Sequence, residues 1–155
     1  MSGSERTTTP GLEAHLGYWL RRVSNHVSGA FARVLQQQHV SVAEWVVLSQ
    51  IAARPEVRPA ELADELGLTR GAVSKVLDKL EAKKWTARRT SPDDNRVHML
   101  SLTRQGERVL PQLADIADRN DARFFECLDV KEQETLRRLL QKLTAFHQIQ
   151  EVPVE

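Results

Sequence analysis

The run Pro59–Leu80, PAELADELGLTRGAVSKVLDKL, decides the fold. Pro59 suits the first position of a helix, where its missing N–H costs nothing, and that helix reaches about Leu66. Gly67 and Leu68 make a tight turn. Thr69 is a good N-cap for a second helix, from Arg70 to about Lys83. Val73, Val76, Leu77 and Leu80 recur every three or four residues, which puts them on one side of that helix. Ala63 is small enough for the two helices to approach, and Val73 packs the second back onto the first. This is the pattern of a helix-turn-helix. The outward residues at the start of the second helix are Thr69, Arg70, Gly71, Ser74 and Lys75. They are small or hydrogen-bonding, so the backbone can come close to a major groove. Arg70 can reach guanine and Ser74 a base or a phosphate, and the helix N-terminus favours phosphate. The competing reading is a helical hairpin inside an all-α core.

Just downstream, Thr86–Thr90 and Val97–Leu102 read as two short strands. Between them Ser91, Pro92, Asp93, Asp94 and Asn95 are strong turn formers. A basic hairpin after a recognition helix is a wing, and it weakens the all-α alternative. Its candidate DNA-binding residues are Arg88, Arg89, Asp94 and Arg96. An extended arginine at a narrow tip suits the negative potential of a minor groove, which selects Arg96. Asp94, two residues away, is placed to orient the Arg96 guanidinium by a charge-assisted pair. The plainer reading of the two is a surface ion pair worth about 0–1 kcal/mol. On the second strand Val97, Met99 and Ser101 alternate with His98, Leu100 and Leu102.

Helices flank this unit on both sides. Leu12 to about Gln38 reads as one long helix, with Leu16, Leu20, Val23, Val27, Ala30 and Val34 at helical spacing. Ser41 with Glu44 forms a capping box for a helix starting at Val42, with Trp45, Leu48, Ile51 and Ala52 on one side, ending before Pro55. Thr103 caps a helix from Arg104 to about Glu126. Asp129 with Glu132 caps the last helix, to about Ile149, whose apolar stripe is Leu136, Leu139, Leu140, Leu143 and Phe146. The chain is mostly α.

The formal charge of the 155 residues is only +1, but it is unevenly spread. Residues 1–68 carry net −1, residues 69–104 carry nine basic and four acidic side chains for +5, and residues 105–155 carry −3. Exposed charges are screened beyond about 8 Å at physiological salt, so a polyanion meets the local field and not the total. The middle third is therefore a candidate phosphate-facing surface. The single cysteine excludes an intramolecular disulfide framework and a multi-cysteine zinc site. The five histidines show no tight metal-ligand spacing, and no nucleophile elbow, P-loop or dinucleotide fingerprint occurs. No cofactor, metal or enzymatic activity is expected. Polar residues 1–10 read as a flexible tail without the apolar stretch of a signal peptide, and no apolar run approaches a membrane span. The expected compartment is the cytoplasm.

At this point the chain resembles the multiple-antibiotic-resistance (MarR) regulators, a bacterial family of transcription factors. The matching residues run in order through Leu16-Gly17, Leu20-Arg21-Arg22, Val40-Ser41 and Glu44-Trp45-Val46-Val47-Leu48. They continue through Glu61-Leu62-Ala63, Leu66-Gly67-Leu68, Val73–Leu80, the wing's Asp94-Asn95-Arg96, and Leu102-Thr103 with Gly106. The resemblance covers about residues 12–150. It implies a winged helix-turn-helix with a two-stranded β wing, and a helical dimerisation region formed by both chain ends. On this division residues 11–39 and 104–150 dimerise and residues 40–103 bind DNA. It further implies a homodimer on a pseudo-palindromic double-stranded operator, usually a repressor, often released by a small phenolic or aromatic acid. One departure stands out. The family usually has Lys-Gly-hydrophobe after the recognition helix, and this chain has Lys83-Lys84-Trp85, which puts the wing's approach angle in question.

On the first helix His15, Trp19, Arg22 and His26 recur at spacings of four, three and four, with Tyr18 at the edge. As an effector site, Arg22 would pair a carboxylate and Trp19 or Tyr18 would stack on a ring. As a dimer seam, the same stripe would be packing, and aromatic stripes at this spacing favour that reading. Cys127 lies in an apolar, locally acidic setting, FFECL, which predicts structural burial over a peroxide-sensing thiol. The function expected is a dimeric, ligand-responsive DNA-binding regulator. The alternative is a non-specific or architectural DNA binder without an effector.

Overall fold

A computed structural model describes residues 11–54, 56–96 and 98–155. The expected tail at 1–10 and Val97 lie outside the described residues. Among the described residues, six helices and one hairpin follow each other: α1 Leu16–Gln37, α2 Val42–Ala52, α3 Pro59–Leu66, α4 Arg70–Ala82, β1 Thr86–Thr90, β2 His98–Leu102, α5 Arg104–Phe125 and α6 Val130–Phe146. The strands pair antiparallel, with Thr86 opposite Leu102 and Thr90 opposite His98. Mostly helical architecture with a two-stranded wing is thus as the sequence indicates.

The caps also fall where side-chain chemistry puts them. Ser41 Oγ accepts from Glu44 N–H at 3.1 Å and the Glu44 carboxylate accepts from Ser41 N–H at 2.8 Å. Thr69, Thr103 and Asp129 accept from Ala72, Gly106 and Glu132 N–H at 3.1, 3.1 and 2.9 Å. Each satisfies an orphan donor of a helix start, worth about 1 kcal/mol.

The core lies inside the helix-turn-helix. Leu48 and Ile51 of α2, Leu62 and Leu66 of α3, and Val73, Leu77 and Leu80 of α4 are fully buried with Leu100 of β2. Leu35 and Leu113 join it from α1 and α5. Val57 adds a backbone bridge that the sequence pattern does not reveal: Leu100 N–H donates to Val57 O at 2.8 Å.

Two features differ from the sequence reading. The first helix is interrupted. Leu12–Ala14 is a 3-10 turn, and His15 is extended (φ −100°, ψ 123°) before α1 begins. His15 therefore caps the helix instead of sitting on its face, while Trp19 Nε1 donates back to Glu13 O at 2.9 Å. Cys127 is exposed, not buried. It lies in the turn after α5, where the helical period that would carry it inward has already ended. The last helix, α6, contributes no buried residue, so its apolar stripe does not serve the core of this chain.

Candidate nucleic-acid interface

The helix-turn-helix is locked by its turn. Gly67 adopts φ 63°, ψ 26°, and Leu68 N–H donates to Ala63 O at 2.9 Å. The left-handed conformation is cheap only for glycine. With α3 ended there, Thr69 starts α4 at once, and Thr69, Arg70, Gly71, Ser74 and Lys75 all stand on its exposed side. A Cβ added to Gly71 would meet nothing within 4 Å, so the protein's own packing does not require the bare Cα.

The wing is set by the far end of α4. Lys84 adopts φ 60°, its N–H donates to Glu81 O at 2.8 Å, and Trp85 N–H donates to Leu80 O at 3.0 Å. At the departure from the family pattern, the left-handed cap forms with a lysine in it. The next residues are clamped by the start of α5. Thr103 Oγ1 donates to Lys84 O at 2.5 Å and Thr103 N–H to Trp85 O at 2.9 Å. Trp85 O lies where a Gly106 side chain would be, 2.0 Å from an added Cβ, so only glycine fits.

Arg88 braces the stem of the wing against the recognition helix. Its Nε donates to Glu81 Oε1 at 2.6 Å and its Nη2 to Asp78 Oδ1 at 2.9 Å. At the tip, Asp94 Oδ1 accepts from the main-chain N–H of Arg96 at 2.9 Å. The carboxylate therefore holds the turn that presents Arg96 instead of holding its guanidinium. Arg89 and Arg96 are exposed.

Between α4 and the wing is a cleft of about 340 Å³, whose walls include Arg58, Arg70, Ser74, Arg88, Arg96 and His98. Four of these six are sequence candidates brought together from two elements. Arg58 and His98 are additions. Arg58 sits just before Pro59 at the start of α3, and that adjacency was the available signal. His98 could be found only from the strand register that sets it opposite Thr90.

One basic residue of the middle third turns inward. Lys83 Nζ donates to Glu44 Oε1 at 2.5 Å and to His39 O at 2.6 Å. Glu44 is 4% exposed. Burial pushes its carboxyl up, but the Lys83 ammonium and the Ser41 N–H and hydroxyl together outweigh this and hold it below the ordinary carboxylate range.

On α1, the Arg22 guanidinium lies 5.8 and 5.5 Å from the Tyr18 and Trp19 ring centroids, and Nη1 donates to Tyr18 OH at 3.3 Å. His26 packs against Phe124 of α5 instead, centroid to centroid at 5.8 Å. Tyr18, Trp19 and Arg22 are thus brought together, while His15 and His26 lie apart from them. Among the described residues there is no cluster of three or more His, Cys, Asp or Glu placed to hold a metal ion. No described helix is long and apolar enough to cross a membrane.

Residues 40–98 match the family model described as MarR family. A Thauera aromatica protein named as a transcriptional regulatory protein for the hcr operon is 31% identical, over 92% of this chain and 85% of its own. An HTH-type transcriptional repressor of Mycobacterium bovis is 30% identical, over 84% and 94%. Among solved structures, a mutant of Escherichia coli MarR complexed with operator DNA superposes with a TM-score of 0.72 at 26% identity, covering 83% of this chain and 92% of that one.

Proposed function

This chain belongs to the MarR family of DNA-binding transcriptional regulators, and from that premise we propose that it is a homodimeric repressor reading a pseudo-palindromic operator. The observation that carries this reading is the convergence of Arg70, Ser74 and Arg96 on one cleft between the recognition helix and the wing. Thr69, Arg70, Gly71, Ser74 and Lys75 enter the major groove, where Arg70 is the candidate for guanine. Arg96, held out by the Asp94 turn, enters the minor groove, and Arg89 meets phosphate. Arg88 contributes mainly through its brace to Asp78 and Glu81, since both of its bonded edges already have carboxylate partners.

The decisive variant is Arg96→Ala. Operator binding weakens by more than about tenfold while the oligomeric state is unchanged, because a guanidinium in a narrow minor groove is worth roughly 1–3 kcal/mol. An unchanged affinity in a mobility-shift titration rejects the wing role. A non-specific binder, the second reading, would bind its own promoter and random DNA alike.

In this proposal residues 11–39 and 104–150 form the dimer, residues 40–103 the reading head. The Tyr18–Trp19–Arg22 cluster serves first as part of the dimer seam. Release by a small aromatic acid is the finer part of the reading, with Arg22 pairing the carboxylate and the two rings stacking beside it. Titration with benzoate-like acids should lower operator affinity in the wild type and leave Arg22→Ala unresponsive. Equal response in both removes these residues from effector binding.

A further inference from the structure

After α6 the chain does not leave the molecule. Gln148 takes φ 52° and Ile149 N–H donates to Thr144 O at 3.0 Å, which closes the helix and turns the backbone. The following residues, Glu151–Glu155, EVPVE, form neither helix nor strand and lie along the reading head. Their exposure alternates: Val152 and Val154 face inward and the other three face out. Period two is the mark of an extended segment, and Pro153 stiffens it by fixing its φ.

The segment touches the head at two places and the junction of α1 with the head at a third. A Cβ built on Gly67 would stand 3.3 Å from Glu151 Cγ and 3.8 Å from Glu151 Cβ, so Glu151 lies over the bare turn of the helix-turn-helix. Val152 packs on the buried core. Val154 lines the notch between the end of α1 and the start of α2, with Gln36, His39 and Val42. The atoms of Glu151 nearest the turn are its methylenes, so the contact is packing and not charge.

We propose that Glu151–Glu155 is a strap that fixes the reading head against the helical region, and that it narrows the half-site spacing the protein accepts. The proposal rests on the dimeric, operator-reading function above. In a dimer the two recognition helices must meet half-sites a set distance apart. One added base pair moves a half-site by about 3.4 Å and turns it by roughly 35°. A head joined to the dimer region by α1 and α5 alone can pivot about those two connections. A third tie at the helix-turn-helix turn removes that pivot, and the strap supplies it directly from the end of α6.

The test compares the full chain with a form lacking residues 151–155 and with Val152→Asp, which keeps the length and removes the core anchor. Operator DNA is offered with native spacing and with one base pair added or removed between half-sites. The wild type should lose at least about tenfold on altered spacing and both strap variants less than about threefold, with dimers retained by sedimentation. Hydrogen exchange at the Gly67–Thr69 turn should quicken in both variants. A spacing penalty equal to that of the wild type overturns the proposal, as does a simple gain in affinity at native spacing, which would make the glutamates an electrostatic screen. A monomeric wild type, by contrast, sinks the dimer reading itself.

Discussion

At the residue scale, four of the described helices end with a residue in the left-handed region, and only one of those residues is glycine. His39 (φ 58°), Gly67 (φ 63°), Lys84 (φ 60°) and Gln148 (φ 52°) close α1, α3, α4 and α6, and in each case the next N–H reaches back to the last turn. A side chain there costs about 1–2 kcal/mol. The closing hydrogen bonds offset that cost, helped at α1, α3 and α4 by packing of the following residue, Val40, Leu68 or Trp85. At Lys83-Lys84-Trp85 the partly buried Trp85 selects the turn, and the lysine tolerates it. Gly71 poses the opposite case. It sits in the first turn of a helix, where glycine is about 0.5–1 kcal/mol worse than alanine, with open space in front of it. Gly71→Ala should therefore raise the melting temperature by roughly 1–4 °C. On the proposed major-groove contact of α4, it should also weaken operator binding, because the methyl group would stand between helix and groove. Equal operator affinity in the two proteins would remove Gly71 from the interface.

At the element scale, the helix caps set by local spacing were legible, while the Asp94–Arg96 contact goes to the main-chain N–H and not to the guanidinium, and pairings across elements could not be read. The Ser41–Glu44 and Asp129–Glu132 boxes, the Thr69 and Thr103 caps, and Pro59 at the start of α3 follow from local spacing alone. The Glu44–Lys83 pair joins residues 39 apart, and Arg88 finds Asp78 and Glu81 only once β1 folds back beside α4. Sequence could count Lys83 as basic but could not say that it faces inward, nor that Cys127 would fall just past the end of α5. The Glu44–Lys83 pair ties the start of α2 to the end of the recognition helix, and its loss is measurable. Lys83→Met leaves a buried carboxylate without its cation and should cost about 2–3 kcal/mol at pH 7. The pH dependence has a defined sign. Glu44 in the wild type is held below its ordinary range, so its stabilisation is present above the unfolded-state pKa and is lost as pH falls through the lower, folded value. In the variant the Lys83 ammonium is gone and only Ser41 still opposes burial, so the carboxyl rises relative to the wild type and the folded protein gains stability on acidification relative to it. Urea melts of both proteins should show the deficit shrinking between neutral pH and about pH 4. A deficit independent of pH would mean that the loss comes from packing of the lysine stem.

At the scale of the whole molecule, one surface remains to be accounted for. Leu16, Leu20 and Val23 of α1 and Leu139, Leu140, Leu143 and Phe146 of α6 are exposed, Leu16 to 87% and Phe146 to 79%. The spacing of these residues showed an apolar stripe on each helix, which normally means a side turned to the chain's own core. What the sequence could not show is that the core is already filled by α2, α3, α4 and Leu100, leaving both stripes outside. Apolar surface of this extent on two helices is the mark of an interface. The charge distribution fits the same division, with net +5 in residues 69–104 and net −3 in residues 105–155, which keeps the helical end from phosphate. Leu143→Asp places a charge in the middle of the α6 stripe, where a facing copy would bury it at a cost of several kcal/mol. Because Leu143 is not in the core of its own chain, the variant should keep its helical circular dichroism. On the proposed dimer, the wild type should sediment as a dimer and the variant as a monomer at the same concentration, and the variant's melting temperature should not rise with protein concentration. Operator affinity should fall with it, since a monomer engages one half-site and loses the gain from linked binding, on the order of 10²–10⁴. A Leu143→Asp protein that still dimerises and binds the operator as tightly as the wild type would place the seam elsewhere.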